Sequence, residues 1–346
     1  MSRPLDSLTV LDLSTLLPGP LATAILAAAG ARVIKIERPG GEDMRRMPPL
    51  ADGRSALWTM LNRGKEILEL DLKNGADRAR FEELLAGADV LVEQFRPGVM
   101  ARLGLDPDRL LERHPGLVFC SITGFGQEGP LAQQAGHDLD YLAATGLLAF
   151  AERTADGLPA LPPVLLADIA GGAYPAVIAI LLALAERSRT GRGRRLDIAM
   201  AANLFPLMLW PLAEGLCGKG WPGAGTGLTT GGSPRYALYR TADERLLAVA
   251  ALEERFWQQF CEAIDLPPVL RDDQADPEGT RQAVAARIAR RTAAAWEQQL
   301  AGLDVCCMLV RTLEEALAHP QFRGVVRRGP DGVPILPLPL PPGLAG

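Results

Sequence analysis

The chain has 346 residues, 48% hydrophobic and 22% charged, a composition that suits a folded globular protein and excludes an intrinsically disordered one. Its net charge of −5, with acids and bases interspersed, offers no electrostatic footprint for nucleic acid. The five cysteines, Cys120, Cys217, Cys261, Cys306 and Cys307, lack metal-ligand spacing, so no zinc or iron–sulfur centre is expected.

Residues 8–13 read as a short apolar strand, broken by Pro18-Gly19-Pro20. A helix is predicted over 21–29, closed by Gly30, and a second buried strand over 31–36, which makes a βαβ unit. Strands over 67–72, 90–93 and 117–122 alternate with helices over 76–86 and 107–112. Apolar strands alternating with helices predict an α/β fold built on a doubly wound, mostly parallel sheet. A core helix over 170–185, a strand over 196–199 and a helix over 201–214 continue it, so residues 1–214 form the expected large domain.

Composition then shifts. Residues 215–232, rich in glycine and threonine, read as a linker or lid. A smaller α+β domain is expected over 233–325, with strands at 236–239 and 246–250 and helices at 256–264, 281–290 and 292–300. Cys306 and Cys307, in an apolar run, read as buried strand residues. The proline-rich tail, 326–346, cannot be helical toward its end and is expected to rejoin the large domain. The N-terminus has no signal-peptide core, and the apolar run 169–185 is too short and glycine-rich for a comfortable membrane span. A soluble, cytoplasmic protein without membrane contacts is therefore expected.

Chemistry concentrates in two segments. His137, one of three histidines, stands behind Gly136 where an apolar helix begins. Asp168 is a lone carboxylate between an apolar run and Gly171-Gly172. An imidazole and a carboxylate at helix N-termini suit proton transfer in a shared pocket, although spacing alone does not bring them together. A capping aspartate and a loop histidine are the plain alternative. The turn after the first strand lacks a Gly-x-Gly-x-x-Gly pattern, and Pro18 and Pro20 remove amide donors, which argues against a nicotinamide dehydrogenase. Arg38, Lys65, Arg96 and Arg102 follow apolar strands, whose ends converge on one crevice in such a sheet. Their charges suit the phosphates of coenzyme A, and surface ion pairs are the alternative.

Segments 34–40 (IKIERPG), 62–65 (NRGK), 95–99 (FRPGV), 123–130 (TGFGQEGP), 136–138 (GHD), 166–168 (LAD), 193–197 (GRRLD) and 231–234 (GGSP) occur in this order. Together they resemble the family III CoA-transferases (CaiB/BaiF), and the histidine of Gly-His-Asp resembles the α-methylacyl-CoA racemase branch. The resemblance implies a 2-methylacyl-CoA racemase of lipid metabolism, acting on the CoA thioester as substrate without a prosthetic group or metal. His137 and Asp168 would be the two bases, and Glu253 a further active-site carboxylate from the small domain. Arg38 and Lys65, with Arg96 and Arg102, would hold CoA. The amides and dipole opening the Asp168 helix would stabilise the enolate. Asp138 is expected to cap its own helix, orientation of the imidazole being the alternative.

The sequence departs from the family pattern at Gln94, where asparagine is usual, at Arg235, where an aromatic is common and a more polar acyl pocket would follow, and at Glu254, where proline is usual. The resemblance also implies an interlocked homodimer. A CoA-transferase, in which Asp168 forms an acyl-aspartyl anhydride, is the alternative activity, and a non-catalytic CoA-binding paralogue is the alternative to an enzyme.

Overall fold

The computed structural model describes residues 3–218, 220–341 and 343–344. Lys219 of the expected linker, and Pro342, Ala345 and Gly346 of the expected tail, lie outside them. Two compact units divide the chain. The first draws on described residues within Met1–Thr145, Pro162–Leu207 and Gly324–Gly346, the second on those within Gly146–Leu161 and Met208–Arg323. Residues 146–161 and 208–214, read from sequence as part of the large domain, thus belong to the second unit.

In the first unit, β1 (Thr9–Asp12), β2 (Arg32–Glu37), β3 (Glu66–Glu69), β4 (Val90–Glu93), β5 (Val118–Thr123) and β6 (Arg195–Ala199) form one parallel sheet. Their spatial order is β3-β2-β1-β4-β5-β6, with Val10 opposite Val33 on one side and Val90 on the other. The Val, Ile and Leu runs of β1, β2 and β4 are buried on both faces, as central parallel strands require. The winding reverses between β1 and β4, the place where a doubly wound sheet opens a ligand crevice beyond its carboxyl ends.

One face of the sheet packs Leu11, Leu91 and Phe119 against Phe81 and Leu85 of α2 (Gly75–Ala86) and Leu110 of α3 (Pro107–Arg113). On the other lies α1 (Pro18–Ala28), whose residues Pro18 to Leu26 are all buried. Proline at the first helical positions removes no needed donor, so Pro18 and Pro20 start this helix rather than merely end the strand. A short helix, α4 (Asp138–Ala144), follows β5. Then comes α5, Ala167–Thr190, which packs on α1 and β5. At 24 residues it is longer than the sequence suggested, long and apolar enough by those measures to cross a membrane. It is also not a fully buried helix: Ala176 and Ile180 face the protein, while Ile178 is 58% and Leu182 67% exposed. The expected helix 201–214 is interrupted too. Residues Ala202–Met208 wind as a tight 3₁₀ segment around Pro206, and an α-helix resumes only at Leu209–Leu216.

In the second unit, β7 (Tyr236–Arg240), β8 (Leu246–Ala250) and β9 (Cys307–Leu309) form an antiparallel sheet in the order β9-β8-β7. Leu247 and Val249 meet Trp257 and Phe260 of α6 (Glu254–Ala263), Val284 and Ile288 of α7 (Pro277–Ile288) and Trp296 of α8 (Ala293–Leu300). Cys307 is a half-buried strand residue, but Cys306 is exposed and has φ of 48°, so it lies just before β9 and not in a buried strand. The described part of 215–232 is no loose linker. Trp221 packs on Gly215, the Gly227 amide donates to Thr230 Oγ1, and Arg281 donates to Gly231 O at 2.6 Å.

Candidate active site

At the carboxyl ends of β4 and β5 a cavity of about 380 Å³ is walled by Leu16, Pro18, Gln94, Phe95, Arg96, Thr123, Gly124, Gly136, His137, Asp140, Tyr141, Asp168 and Met200. It brings His137 and Asp168 into one space, the association that spacing left open.

His137 is the extended residue preceding α4, with φ of −122° and ψ of 179°. Its N–H donates to Asp140 Oδ2 at 2.8 Å, so Asp140 fixes the helix entry. Tyr141, one turn on, donates from its hydroxyl to Gly136 O at 2.6 Å and sets its ring edge-on to Phe125. A Cβ on Gly124 would lie 2.4 Å from that ring, and one on Gly136 would lie 2.8 Å from it. Both glycines are therefore needed for the tyrosine that holds the His137 loop in place. Burial, then the neighbouring Asp168, pushes the Tyr141 hydroxyl up to about 12, so it remains a donor.

Asp168 lies in the first turn of α5, where Ala167–Ala173 is wound as a π-helix, a local widening found disproportionately at functional sites. The tight approach of Met200 explains Gly171-Gly172: a Cβ on Gly171 would stand 2.5 Å from Met200 O, and one on Gly172 3.0 Å from its sulfur. The Asp168 amide donates to Asp138 Oδ1 at 3.0 Å. Asp138 is buried and neither caps its own helix, which Asp140 does, nor hydrogen-bonds the imidazole; it ties the His137 segment to the Asp168 segment. The Asp168 and Ile169 amides donate to Asp138 and to Leu165 O, so neither is left to hold an enolate, contrary to the sequence expectation. Burial, then the charge of Asp138, raises the Asp168 carboxyl to about 6, His137 pulling it the other way.

A second cavity, of about 370 Å³, lies over the ends of β1, β2 and β3 and is walled by Leu13, Thr15, Leu16, Glu37, Arg38, Glu42, Asp43, Asp71, Lys73, Phe95 and Leu103, among others. Leu16 and Phe95 line both cavities. Arg38 is exposed at its rim, pairing with Asp43 at 2.8 Å. Lys73, which sequence reasoning passed over, is a second cation on this wall; its place just beyond an apolar strand was the available signal. Arg96 borders the first cavity, whereas Arg102, exposed on the short helix Val99–Arg102, borders neither.

Lys65 is a correction. Its ammonium is buried and meets Asp12 Oδ2 at 3.1 Å, Pro20 O at 2.9 Å, Thr23 Oγ1 at 2.8 Å and Asn62 Oδ1 at 3.0 Å. With three donors engaged on four acceptors and no exposed side-chain surface, it has nothing to offer a phosphate. Burial would raise the Asp12 carboxyl, but Lys65 and then Lys35 hold it well below the usual carboxylate range. Gln94 also finds its purpose here, since Oε1 accepts the Gly19 amide at 3.1 Å and joins the end of β4 to the start of α1.

In the second unit, Glu253 precedes α6 in N-cap position with an extended backbone, but its carboxylate caps nothing and is exposed. The two nearby departures from pattern meet each other. Arg235 pairs with Glu254 at 2.7 Å and with Asp273 at 2.7 Å, and stacks on Trp257 with its guanidinium 5.2 Å from the ring centre. Its charge is thus neutralised by two carboxylates within a polar cavity of the second unit that Arg235, Glu254 and Asp273 line together.

Residues 5–340 match CoA-transferase family III. The human alpha-methylacyl-CoA racemase is 36% identical over 324 residues, covering 91% of this chain and 80% of that relative. The acetyl-CoA:oxalate CoA-transferase of Acetobacter aceti is 33% identical over 311 residues, covering 85% and 77%. Among solved structures, a CaiB/BaiF family protein from Brucella suis superposes with a TM-score of 0.83 at 29% identity, covering 99% of this chain and 93% of its own.

Proposed function

The chain belongs to CoA-transferase family III, and from that premise we propose that it is a 2-methylacyl-CoA racemase. One observation carries the reading: His137 and an Asp168 carboxyl raised to about 6 share a cavity, so one imidazole and one readily protonated acid flank the space for an α-carbon. His137 removes the α-proton of one enantiomer, and its C–H electron pair passes into the thioester enolate. Protonated Asp168 then returns a proton to the opposite face, leaving His137 protonated and Asp168 ionised. The other enantiomer runs the same steps backwards, with Asp168 as base and His137 as acid. Arg38 and Lys73, on the wall of the second cavity, suit the CoA phosphates, and Leu16 and Phe95 lie where the thioester arm passes between cavities.

The test is α-proton exchange. Pure protein incubated with a 2-methylacyl-CoA in deuterium oxide should exchange that proton and equilibrate the enantiomers, followed by NMR. Folded, CoA-binding protein that exchanges none across a panel of acyl chains would sink the racemase reading and leave CoA transfer or CoA binding alone.

The half-exposed Asp168 carboxylate also supports a second reading, CoA transfer, in which its oxygen attacks the thioester carbonyl and expels CoA thiolate. We further propose a homodimer, since Tyr174, Ile178 and Leu182 leave an apolar stripe on α5 that a second subunit would cover. Light scattering at micromolar concentration that returns a monomeric mass would refute it.

A further inference from the structure

The turn between β1 and α1 is the wall common to the two cavities, because Leu16 lines both. Leu16 has φ of 60°, in the left-handed region that a side chain bearing a Cβ adopts only when its surroundings hold it there. Three side chains hold this turn, Lys35 and Glu42 buried and Gln94 half-buried. Lys35 Nζ donates to Ser14 O at 2.7 Å, Glu42 Oε2 accepts the Leu16 amide at 2.8 Å, and Gln94 Oε1 accepts the Gly19 amide at 3.1 Å.

Glu42 is the least expected of them. It is almost wholly buried, and its Oε1 makes no hydrogen bond, standing 3.2 Å from the Lys35 ammonium. A buried ion pair is a poor way to stabilise a core that apolar residues would fill as well. The proton-transfer chemistry does not use it. What this pair does accomplish is local: one carboxylate spans an ammonium and an amide at once, and the amide belongs to the strained residue between the cavities.

We propose that Glu42 is a positioning residue, holding Leu16 in its left-handed conformation so that the side chain forms the septum past which the thioester arm of CoA reaches His137 and Asp168. This rests on the reading that CoA occupies the second cavity and its acyl group the first. The experiment uses Glu42→Gln, Leu16→Gly and the double variant, with three readouts: Kd for CoA by calorimetry, kcat for α-proton exchange, and hydrogen exchange of the Leu16 amide without ligand.

Glu42→Gln should speed exchange of the Leu16 amide and lower kcat by about tenfold or more, a larger factor than any accompanying loss of CoA affinity, because misplacement near the reacting carbon costs rate before affinity. Leu16→Gly should show the same split. In that background, where glycine needs no anchor at positive φ and the septum is gone, adding Glu42→Gln should alter kcat by less than about twofold. Multiplying effects in the double variant, or a Glu42→Gln protein with altered Tm alone, would overturn the proposal. If Glu42→Gln does not fold, a Leu16→Gly enzyme with wild-type kcat overturns it unaided. Should the wild type exchange no α-proton at all, the racemase reading fails by itself, and protection of the Leu16 amide still decides the role of Glu42.

Discussion

Asp138 Oδ1 accepts a hydrogen bond from the Asp168 amide at 3.0 Å, joining two segments thirty residues apart through a buried carboxylate. The bond has two effects. It satisfies an amide at the opening turn of α5, and it sets a negative charge beside the Asp168 carboxyl, whose affinity for a proton rises.

Replacing Asp138 separates those effects. Asp138→Asn keeps an acceptor for the amide and removes the charge, so the Asp168 carboxyl should fall below about 6. The acid limb of kcat/KM, measured with the enantiomer for which Asp168 is the base, should move to lower pH. Asp138→Ala should show the same displacement and lose about 1–3 kcal/mol of stability as well, from the unpaired amide. An unmoved acid limb in both variants would mean that Asp138 does not tune Asp168.

Asp168 should itself cost stability near neutrality. Its folded value of about 6 lies above the ordinary 3.8, so the folded protein binds this proton more tightly than the unfolded chain does. The stability it contributes is present below about pH 4 and is lost as pH rises through about 6. Asp168→Asn should therefore unfold at higher urea than wild type near pH 7.5, by about 1–2 kcal/mol once its partial exposure is allowed for, and equally at about pH 4. Equal midpoints at both pH values would show that its carboxylate is well solvated.

Lys65 and Arg38 should differ in kind. Lys65→Met strands the buried Asp12 carboxylate and should cost about 3–5 kcal/mol of stability. Arg38→Ala, at an exposed rim, should leave the unfolding midpoint nearly unchanged and weaken CoA binding by about 1.5–3 kcal/mol. Calorimetry of Arg38→Ala showing wild-type affinity would place the CoA phosphates elsewhere.

Hydroxylamine separates racemase from transferase. A base never bonds covalently to the acyl group, so a racemase should remain unmodified during turnover, whereas an acyl-aspartyl anhydride should leave a hydroxamate at Asp168. His137→Ala should abolish racemisation and spare exchange of the enantiomer whose proton Asp168 removes. A trapped hydroxamate, with a nearly intact His137→Ala enzyme, would establish transfer.

The sheet was legible because its information is local. Val10-Leu11, Val33-Ile34 and Val90-Leu91-Val92 can only be buried strands, and the alternation with helices restricts them to a parallel, doubly wound order. His137 and Asp168 stood out for a similar reason, being scarce titratable groups where helices begin. Helix ends were less legible, since Pro206 breaks a run whose apolar pattern continues through it and the π-turn at Asp168 has no periodic signature. Charge partners were not legible at all. Lys65 looked like a ligand for phosphate and is enclosed by Asp12, Thr23 and Asn62; Arg235 looked like a polar pocket wall and is held by Glu254 and Asp273. A residue's type and spacing determine which element it joins, because hydrophobic periodicity acts along a few turns of chain. Whether its charge is spent inside the protein or left for a ligand depends on which distant side chains the folded sheet brings within hydrogen-bonding distance, and only the tertiary structure decides that.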